Sequence, residues 1–216
     1  MKVNMQVSLI AVMTLCGKIS PGNLGSSEDR RLLEDIRAIT DASLLGAGSL
    51  RAENAEMRGP GGSLPVARIR ALITASGQLP WRERKIFRLG PRPLVFTAAH
   101  RVAALVEELE ERAEIIGLPA DGQALDLTAA CRYLSQQRGV KKLLLEGGGG
   151  LNYQALRQGI VDELLITIAP KLSGDRQAAT LLTGDGPLGS PFLGLELMSC
   201  RPAENGELFC RYRVRK

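Results

Sequence analysis

Two glycine runs carry the clearest chemical signal in this sequence. Glu146-Gly147-Gly148-Gly149-Gly150 follows the apolar segment Lys142-Leu143-Leu144-Leu145 and precedes Leu151-Asn152-Tyr153-Gln154. A strand, then glycines, then a helix start turns unpaired N–H groups and the positive end of a helix dipole onto an anion. Glycine lets the backbone come close to that anion. The run is neither the dinucleotide G-x-G-x-x-G nor a P-loop, since no Lys-Ser/Thr follows. A tight strand-to-helix turn is the plainer use, but four adjacent glycines exceed what a turn needs. The segment from Asp41 to Ser49 has the same shape: an apolar strand ends in Gly46-Ala47-Gly48-Ser49, and Ser49 could cap the next turn while donating to a phosphate. Two such loops suggest a dinucleotide clamped between strand ends at one edge of a sheet.

The other reactive residue types exclude more than they propose. Cys16, Cys131, Cys200 and Cys210 show no C-x-x-C spacing and His100 is the single histidine. No metal site is expected, and the zinc deaminase signature cannot be written here. A Ser-His-Asp triad would rest wholly on His100, which reads as a solvated loop residue near a helix start. The 28 Lys and Arg against 23 Asp and Glu give a net charge of +5, too weak to announce nucleic acid but compatible with a phosphorylated small molecule. Aromatic residues at 4% argue against base-stacking platforms. No nucleic-acid or membrane partner is expected. Met5 to Leu15 is too short to span a bilayer and lacks the flanks of a signal peptide, so a reduced, cytoplasmic protein is expected.

The elements that must hold these loops alternate. Val3, Met5, Val7 and Leu9 mark a strand entering a core. Further strands are expected over 66–74, 93–97, 114–118, 142–146, 163–168, 193–200 and 207–214. Ser26 caps a helix carrying Leu32, Leu33, Ile36 and Ile39, with Asp29 as its capping-box partner. A second helix carries Val102, Leu105, Val106 and Leu109. A third runs from Leu127 to Arg138 and stops at Gly139; a fourth starts inside the 147–150 run. Asn205-Gly206 is a hairpin turn. At 216 residues this is one α/β domain over residues 1–216. Its central sheet is mostly parallel, flanked by helices and closed by a C-terminal antiparallel hairpin. Gly59 to Gly62 reads as a mobile loop.

These segments resemble the pyrimidine reductases of riboflavin biosynthesis, which share the dihydrofolate reductase fold. Thr14 to Ile19 resembles the family's S-L-D-G-K-I, and Ile36 to Ala42 with Gly46 to Ser49 resembles L-R-A-x-x-D-A…G-x-G-T. Glu146-Gly147-Gly148 resembles E-G-G, and Gly159 to Leu164 through Ala169 to Leu172 resembles G-L-V-D-E-L…A-P-K-L. The resemblance implies a standalone reductase, without the deaminase often fused before it. It implies transfer of hydride from NADPH to C1′ of a ribosylamino-pyrimidine 5′-phosphate, giving the ribitylamino product.

It also implies roles. Gly147, Gly148, Gly149, Gly150 and Leu151 would hold the cofactor pyrophosphate, with Gly46, Gly48, Ser49 and Glu53 also lining the cofactor. Arg51, Thr74, Ser76 and Arg101 are the candidates for the 2′-phosphate. Glu146 would face the substrate, and Arg37, Ser26 and Lys18 would meet its phosphate. Lys18 or water would supply the proton. Arg37 as a solvated helix charge and Glu146 as a surface acid are the plainer readings. The chain departs from the pattern on the substrate side. Cys16 replaces an aspartate, Ala55 and Met57 replace a proline and a leucine, and Pro60 stands where an arginine is expected, with Arg58 two positions early. Another reductase of this fold, acting on a pterin or an unrelated substrate, stays open. Glu28, Asp29 and Glu34 on the first helix keep the pterin reading alive. A nucleotide-binding homologue without catalysis also stays open. Family members pair as dimers, and the terminal strand, apolar on one face, is expected near a sheet edge in search of a partner.

Overall fold

The computed structural model describes residues 4–19, 24–122 and 124–215. Val3 of the expected first strand lies outside them. In chain order the elements are β1 (Gln6–Thr14), α1 (Ser27–Ala38), β2 (Ala42–Gly46), α2 (Ala47–Ala52), β3 (Ile69–Thr74), β4 (Leu94–Ala98), α3 (Val102–Leu109), β5 (Glu114–Leu118), β6 (Ala120–Asp121), β7 (Ala124–Leu125), α4 (Leu127–Arg138), β8 (Lys142–Leu145), α5 (Gly149–Arg157), β9 (Glu163–Ala169), β10 (Leu195–Pro202) and β11 (Leu208–Val214). β6 and β7 form a separate two-stranded ladder; the other nine strands form one sheet, ordered β10-β11-β9-β1-β8-β2-β3-β4-β5. β1 and β9, and every neighbouring pair from β1 to β5, run parallel, and β11 is antiparallel to both β9 and β10.

Alternation along the central strands fills both faces of the sheet. Leu44, Ile73 and Phe96 enter one core cluster with Leu134 and Ala155, whereas their neighbours Leu45, Leu72 and Val95 enter the other with Leu50 and Leu105. Burial on both faces is what parallel strands require. Each fully buried leucine adds about 1.5–3 kcal/mol over an exposed one.

Several boundaries differ from the pattern reading for visible reasons. β3 starts at Ile69 rather than Val66, because Val66 is exposed and Arg68 N–H closes a turn on the Pro65 carbonyl. Gly59 to Gly62 is a 3-10 turn packed on α1, built on positive φ at Gly61 and Gly62, rather than a free loop. The terminal strand β11 lies near a sheet edge as expected, between β9 and the edge strand β10. α4 ends as read, with Gly139 in the left-handed conformation at φ 68°.

The register opens a cleft. β1 pairs with β8 only through Leu9↔Leu145, then continues beside β9 to Thr14. β8 stops there, and the chain turns into the glycine run. The wedge left between β1 and the ends of β2, β3 and β8 is where open α/β sheets place ligands.

Candidate active site

A cavity of about 820 Å³ fills that wedge. Its wall takes Ile10 to Val12 from β1, Ser26, Asp29, Arg30 and Arg37 from the start and face of α1, and Gly46 to Arg58 behind β2. Thr74 to Ser76, Glu146 to Asn152, Ile19 and Ala179 also line it.

At one end the two glycine loops touch. Gly46 N–H donates to the Gly147 carbonyl over 3.3 Å. Gly147 and Gly148 hold φ of 89° and 92°, and a Cβ at Gly148 would lie 2.8 Å from Ser49 Oγ. A Cβ at Gly149 would strike the Thr180 carbonyl and Thr183 Oγ1, so that glycine serves packing. Gly48 and Gly150 have nothing within 4 Å of a Cβ, so the protein itself gives no reason for their bareness. Ser49 lies inside α2, whose N-cap is Gly46; it does not cap the turn as the spacing suggested. Backbone N–H groups at the head of α5, positive-φ glycines and a hydroxyl at their side make a cradle that fits a dinucleotide pyrophosphate. Leu151 and Ser76 are in the same wall, as are Thr74 and Arg51. Arg101 is not; its side chain lies against the position of a Gly77 Cβ.

The other end is built by charges. Arg37 and Glu146, each expected to reach for substrate, hold each other: Nε donates to Oε1 at 2.9 Å and Nη2 to Oε2 at 2.5 Å, with side chains only 5% and 6% exposed. The third nitrogen, Nη1, donates to the Arg58 carbonyl at 2.8 Å. That carbonyl follows Met57, a buried residue at φ 57°, a strained conformation for a side chain of this kind. Ser43 Oγ donates to Glu146 Oε1, and Arg68 Nη2 donates to Ser43 Oγ while its Nε donates to the Arg37 carbonyl. Burial pushes the Glu146 carboxyl up, but Arg37, Ser43 and Arg68 outweigh it and hold the group below the usual carboxylate range. The bidentate pair is thus a fixed wall of low net charge.

Ser26 is spent in the same way. Its Oγ accepts from the N–H groups of Glu28 and Asp29 and donates to Glu207 Oε2 at 2.5 Å, while its own N–H donates to Glu207 Oε1 at 2.8 Å. The capping box is therefore closed by Glu207 from the β10–β11 turn, not by Asp29. Burial raises the Asp29 carboxyl, a Thr167 hydrogen bond lowers it, and Glu207 raises it again. A phosphate at this helix start would meet two carboxylates.

Cys16 and Lys18 are not in the cavity wall formed by the described residues. Lys18 Nζ donates to the carbonyls of Ala178 at 2.9 Å and Arg176 at 3.3 Å, which ties it to the 176–178 segment. Cys16 Sγ is exposed beside Thr14 Oγ1 and Ser173. Glu53, by contrast, lines the cavity and accepts no side-chain hydrogen bond among the described residues. Burial pushes its carboxyl up and the Glu146 charge adds to that, against Arg37 and Arg30. Ser43 and Arg68 had no sequence signal, being one hydroxyl inside an apolar strand and one arginine in a turn. Among the described residues no three His, Cys, Asp or Glu side chains gather as metal ligands.

The RibD C-terminal domain family matches residues 5–209. The chain belongs to the RibD C-terminal domain family. Among its relatives, the 2,5-diamino-6-ribosylamino-4(3H)-pyrimidinone 5′-phosphate reductase of Methanothermobacter thermautotrophicus is 31% identical over 190 residues, 83% of this chain and 84% of that one. The reductase of the same name from Archaeoglobus fulgidus is 26% identical, over 80% of this chain and 83% of its own. A pyrimidine reductase-like protein from Corynebacterium diphtheriae superposes with a TM-score of 0.82 at 25% identity, covering 98% of this chain and 92% of that one. The riboflavin biosynthesis reductase of Saccharomyces cerevisiae shares the fold, with a TM-score of 0.75 at 18% identity over 100% and 92% of the two chains. The sheet is thus the dihydrofolate reductase-like sheet of RibD-type reductases, and the curated relatives are reductases. Within that RibD family fold, both glycine loops and the Arg37–Glu146 pair face one cavity.

Proposed function

We propose that this chain, as a single reductase domain, uses NADPH to reduce the ribosylamino group of a 2,5-diamino-6-ribosylamino-4(3H)-pyrimidinone 5′-phosphate to ribitylamino. The observation that carries the reading is the shared cavity, with a bare-glycine cradle at one end, a fixed ion pair at the other and, on its wall, Glu53, an acid that accepts no side-chain hydrogen bond among the described residues. The names of the relatives support the substrate. Gly147, Gly148, Gly150 and Ser49 would hold the cofactor pyrophosphate; Ser76, Thr74 and Arg51, which line the same cavity, would meet the adenosine side. When bound, the cofactor supplies the hydride that C1′ accepts.

Opening the ribosylamine to its imine leaves a C=N bond, and reducing it needs a proton at nitrogen. Glu53 carries that proton in this reading. Its acid form persists above the normal range, whereas Lys18 is held on backbone carbonyls. Arg37 and Glu146 set the shape of the ribose end without titrating. The test is nicotinamide absorbance followed with the ribosylaminopyrimidinone phosphate: turnover with NADPH and a ribitylamino product support the reading, and none with either nicotinamide would end it.

A dihydropterin substrate is the second reading, favoured by one observation: Asp29, a carboxylate of the first helix, lines the cavity, whereas Glu28 and Glu34 do not. The same assay with a dihydropterin separates the two. We also infer a homodimer. The edge strand β10 leaves Leu195, Leu197 and Met198 exposed, with Phe192 just before it 86% exposed. That is an open strand edge with apolar cover to bury. Light scattering at micromolar concentration giving a monomer mass would refute it. No helix among the described residues is long and apolar enough to cross a membrane.

A further inference from the structure

Outside the cavity, one pair of side chains has chemistry that the reductase reading leaves unused. Cys200 of β10 and Cys210 of β11 stand directly opposite each other, with their sulfurs 3.3 Å apart. The other two cysteines lie apart from them. Cys131 is buried in the main core, and Cys16 sits beside Thr14 and Ser173.

The backbone sets this facing. At the start of β10 the ladder pairs Leu197 with Tyr212, a register that carried forward would put Cys200 against Phe209. Met198 is the extra residue of a bulge, after which Ser199 pairs with Arg211 and Cys200 with Cys210. A one-residue slip moves a side chain to the other face of a sheet, so the bulge decides that the two thiols meet. Directly opposed residues of an antiparallel pair have Cα atoms about 4.5–5.5 Å apart, inside the roughly 4.4–6.8 Å that a disulfide spans.

The two thiols differ in access. Cys200 is exposed, whereas Cys210 is buried. Burial, with the Cys200 thiol beside it, pushes the Cys210 thiol up. Cys200 is therefore the sulfur that meets a reagent from solvent, and Cys210 the one that resolves the product. The strand they would fasten is the one held least. β10 is an edge strand with a single neighbour, and its ladder is broken at the bulge. Beyond the cysteines the same hairpin grips the start of α1: Glu207 accepts from Ser26, and Arg201 pairs with Glu28 at 2.8 Å.

We propose that Cys200 and Cys210 are a reversible dithiol switch, which a low-molecular-weight disulfide of the glutathione class closes into a disulfide that latches the β10–β11 hairpin. The Cys200 thiolate attacks one sulfur of the oxidant, breaks its S–S bond and releases one thiol. Cys210 then attacks Cys200 Sγ, breaks the mixed S–S bond and releases the second thiol. The two cysteines give up two electrons and two protons, and the oxidant takes them up as two thiols. In a reducing compartment the pair stays open until the thiol pool is oxidised. The step needs neither substrate nor nicotinamide, so it stands apart from the reductase reading.

The test exposes the full-length protein to oxidised glutathione, alkylates the free thiols and digests it unreduced with a protease that cuts after glutamate. Cuts after Glu204 and Glu207 leave Cys200 and Cys210 on separate fragments unless a bond joins them. By mass, wild type should give the joined pair with no glutathione retained on it, and dithiothreitol should separate it. Cys210→Ser should keep glutathione on Cys200 as a stable mixed disulfide. Cys200→Ser, a change at the surface, should leave Cys210 at least about tenfold slower to react. Closing the wild-type pair should raise the unfolding midpoint by roughly 5 °C and slow hydrogen exchange of β10 amides at least about tenfold. Neither change should occur in Cys200→Ser. Wild type that keeps both thiols free, or that keeps glutathione on Cys200, overturns the switch. So does a Cys200 bond between two copies across the open β10 edge. A joined pair with unchanged midpoint and unchanged β10 exchange overturns the latch.

Discussion

The two ends of the cavity are made by different means. The glycine end is backbone: positive-φ glycines, the head of α5 and one hydroxyl, with room left at Gly48 and Gly150. The arginine end is side chain: a carboxylate and two guanidiniums locked together through Ser43 and buried. A backbone cradle is cheap to form and waits for a ligand to complete it. A buried ion pair is costly to desolvate and completes itself before any ligand arrives. At its open positions, Gly48 and Gly150, the first end can therefore be damaged in binding without damage to the fold, whereas the buried Arg37–Glu146 pair cannot.

Arg37→Ala is the largest expected effect. It strands the Glu146 carboxylate in the interior, and stability should fall by about 3–5 kcal/mol, the cost of removing one partner of a buried pair. The pH dependence should also reverse for this group. In wild type the Glu146 carboxyl is held below its normal 4.5, so its contribution is present at neutral pH and is lost as pH falls through the lowered value. Without Arg37, burial pushes that carboxyl up, the folded state takes up protons first, and stability improves as pH falls from neutral. Denaturant unfolding at several pH values decides it. A loss below about 1 kcal/mol would return Arg37 to the role of a helix charge that rarely meets Glu146.

Glu53→Gln tests the acid on the wall between the two ends. The amide keeps the shape and cannot give up a proton, so kcat should drop on the order of 10²-fold while cofactor affinity holds. Wild-type kcat should decline as pH rises through the raised Glu53 value, and the variant should lack that limb. If Glu53 instead lines the cofactor, as the resemblance implied, affinity for NADPH falls and the pH limb survives.

Gly150→Asp asks whether the cradle waits for an anion. The position has space for a side chain and needs no unusual φ, so the unfolding midpoint should stay near wild type. A carboxylate there should weaken NADPH by about tenfold or more through charge alone. Gly148→Asp is the contrasting case. It should fail in fold as well as binding, because its φ of 92° and Ser49 Oγ leave no place for a Cβ. Equal NADPH affinity in Gly150→Asp and wild type would sink the pyrophosphate assignment.

How much of this could be read from the chain follows from how far apart the partners lie. β8, the glycine run and the start of α5 sit within sixteen residues, so their spacing alone places the cradle. α4 and its Gly139 stop are equally local. Arg37 and Glu146 are 109 residues apart, and Ser26 and Glu207 are 181 apart. Nothing local marks such pairs. Ser26 reads correctly as the helix cap, but Arg37 and Glu146 read as solvated charges, and the substrate roles of all three came only from the resemblance. The terminal hairpin reads correctly as the sheet edge, but which of β10 and β11 pairs with β9 is decided by long-range register, and both read as strands in isolation. Glu53 entered only through resemblance, since a lone acid after a short helix carries no periodicity.

The smallest expected effect lies at Ser26, where the two accounts of one residue differ most plainly. In the structure its hydroxyl caps α1 and donates to Glu207, and both jobs concern folding. Ser26→Ala should therefore cost about 1 kcal/mol of stability, the ordinary value of an N-cap. The loss stays modest because the Ser26 N–H still donates to Glu207, whose other oxygen keeps Asn205 Nδ2 as a donor at 3.2 Å. KM for the phosphorylated substrate should stay within about twofold of wild type, since the neighbouring carboxylates keep a phosphate away from the helix start. Measured together, unfolding and KM separate the accounts. A KM raised tenfold with an unchanged midpoint would mean that substrate displaces Glu207 from Ser26, and that the arginine end is less finished before binding than its buried pair suggests.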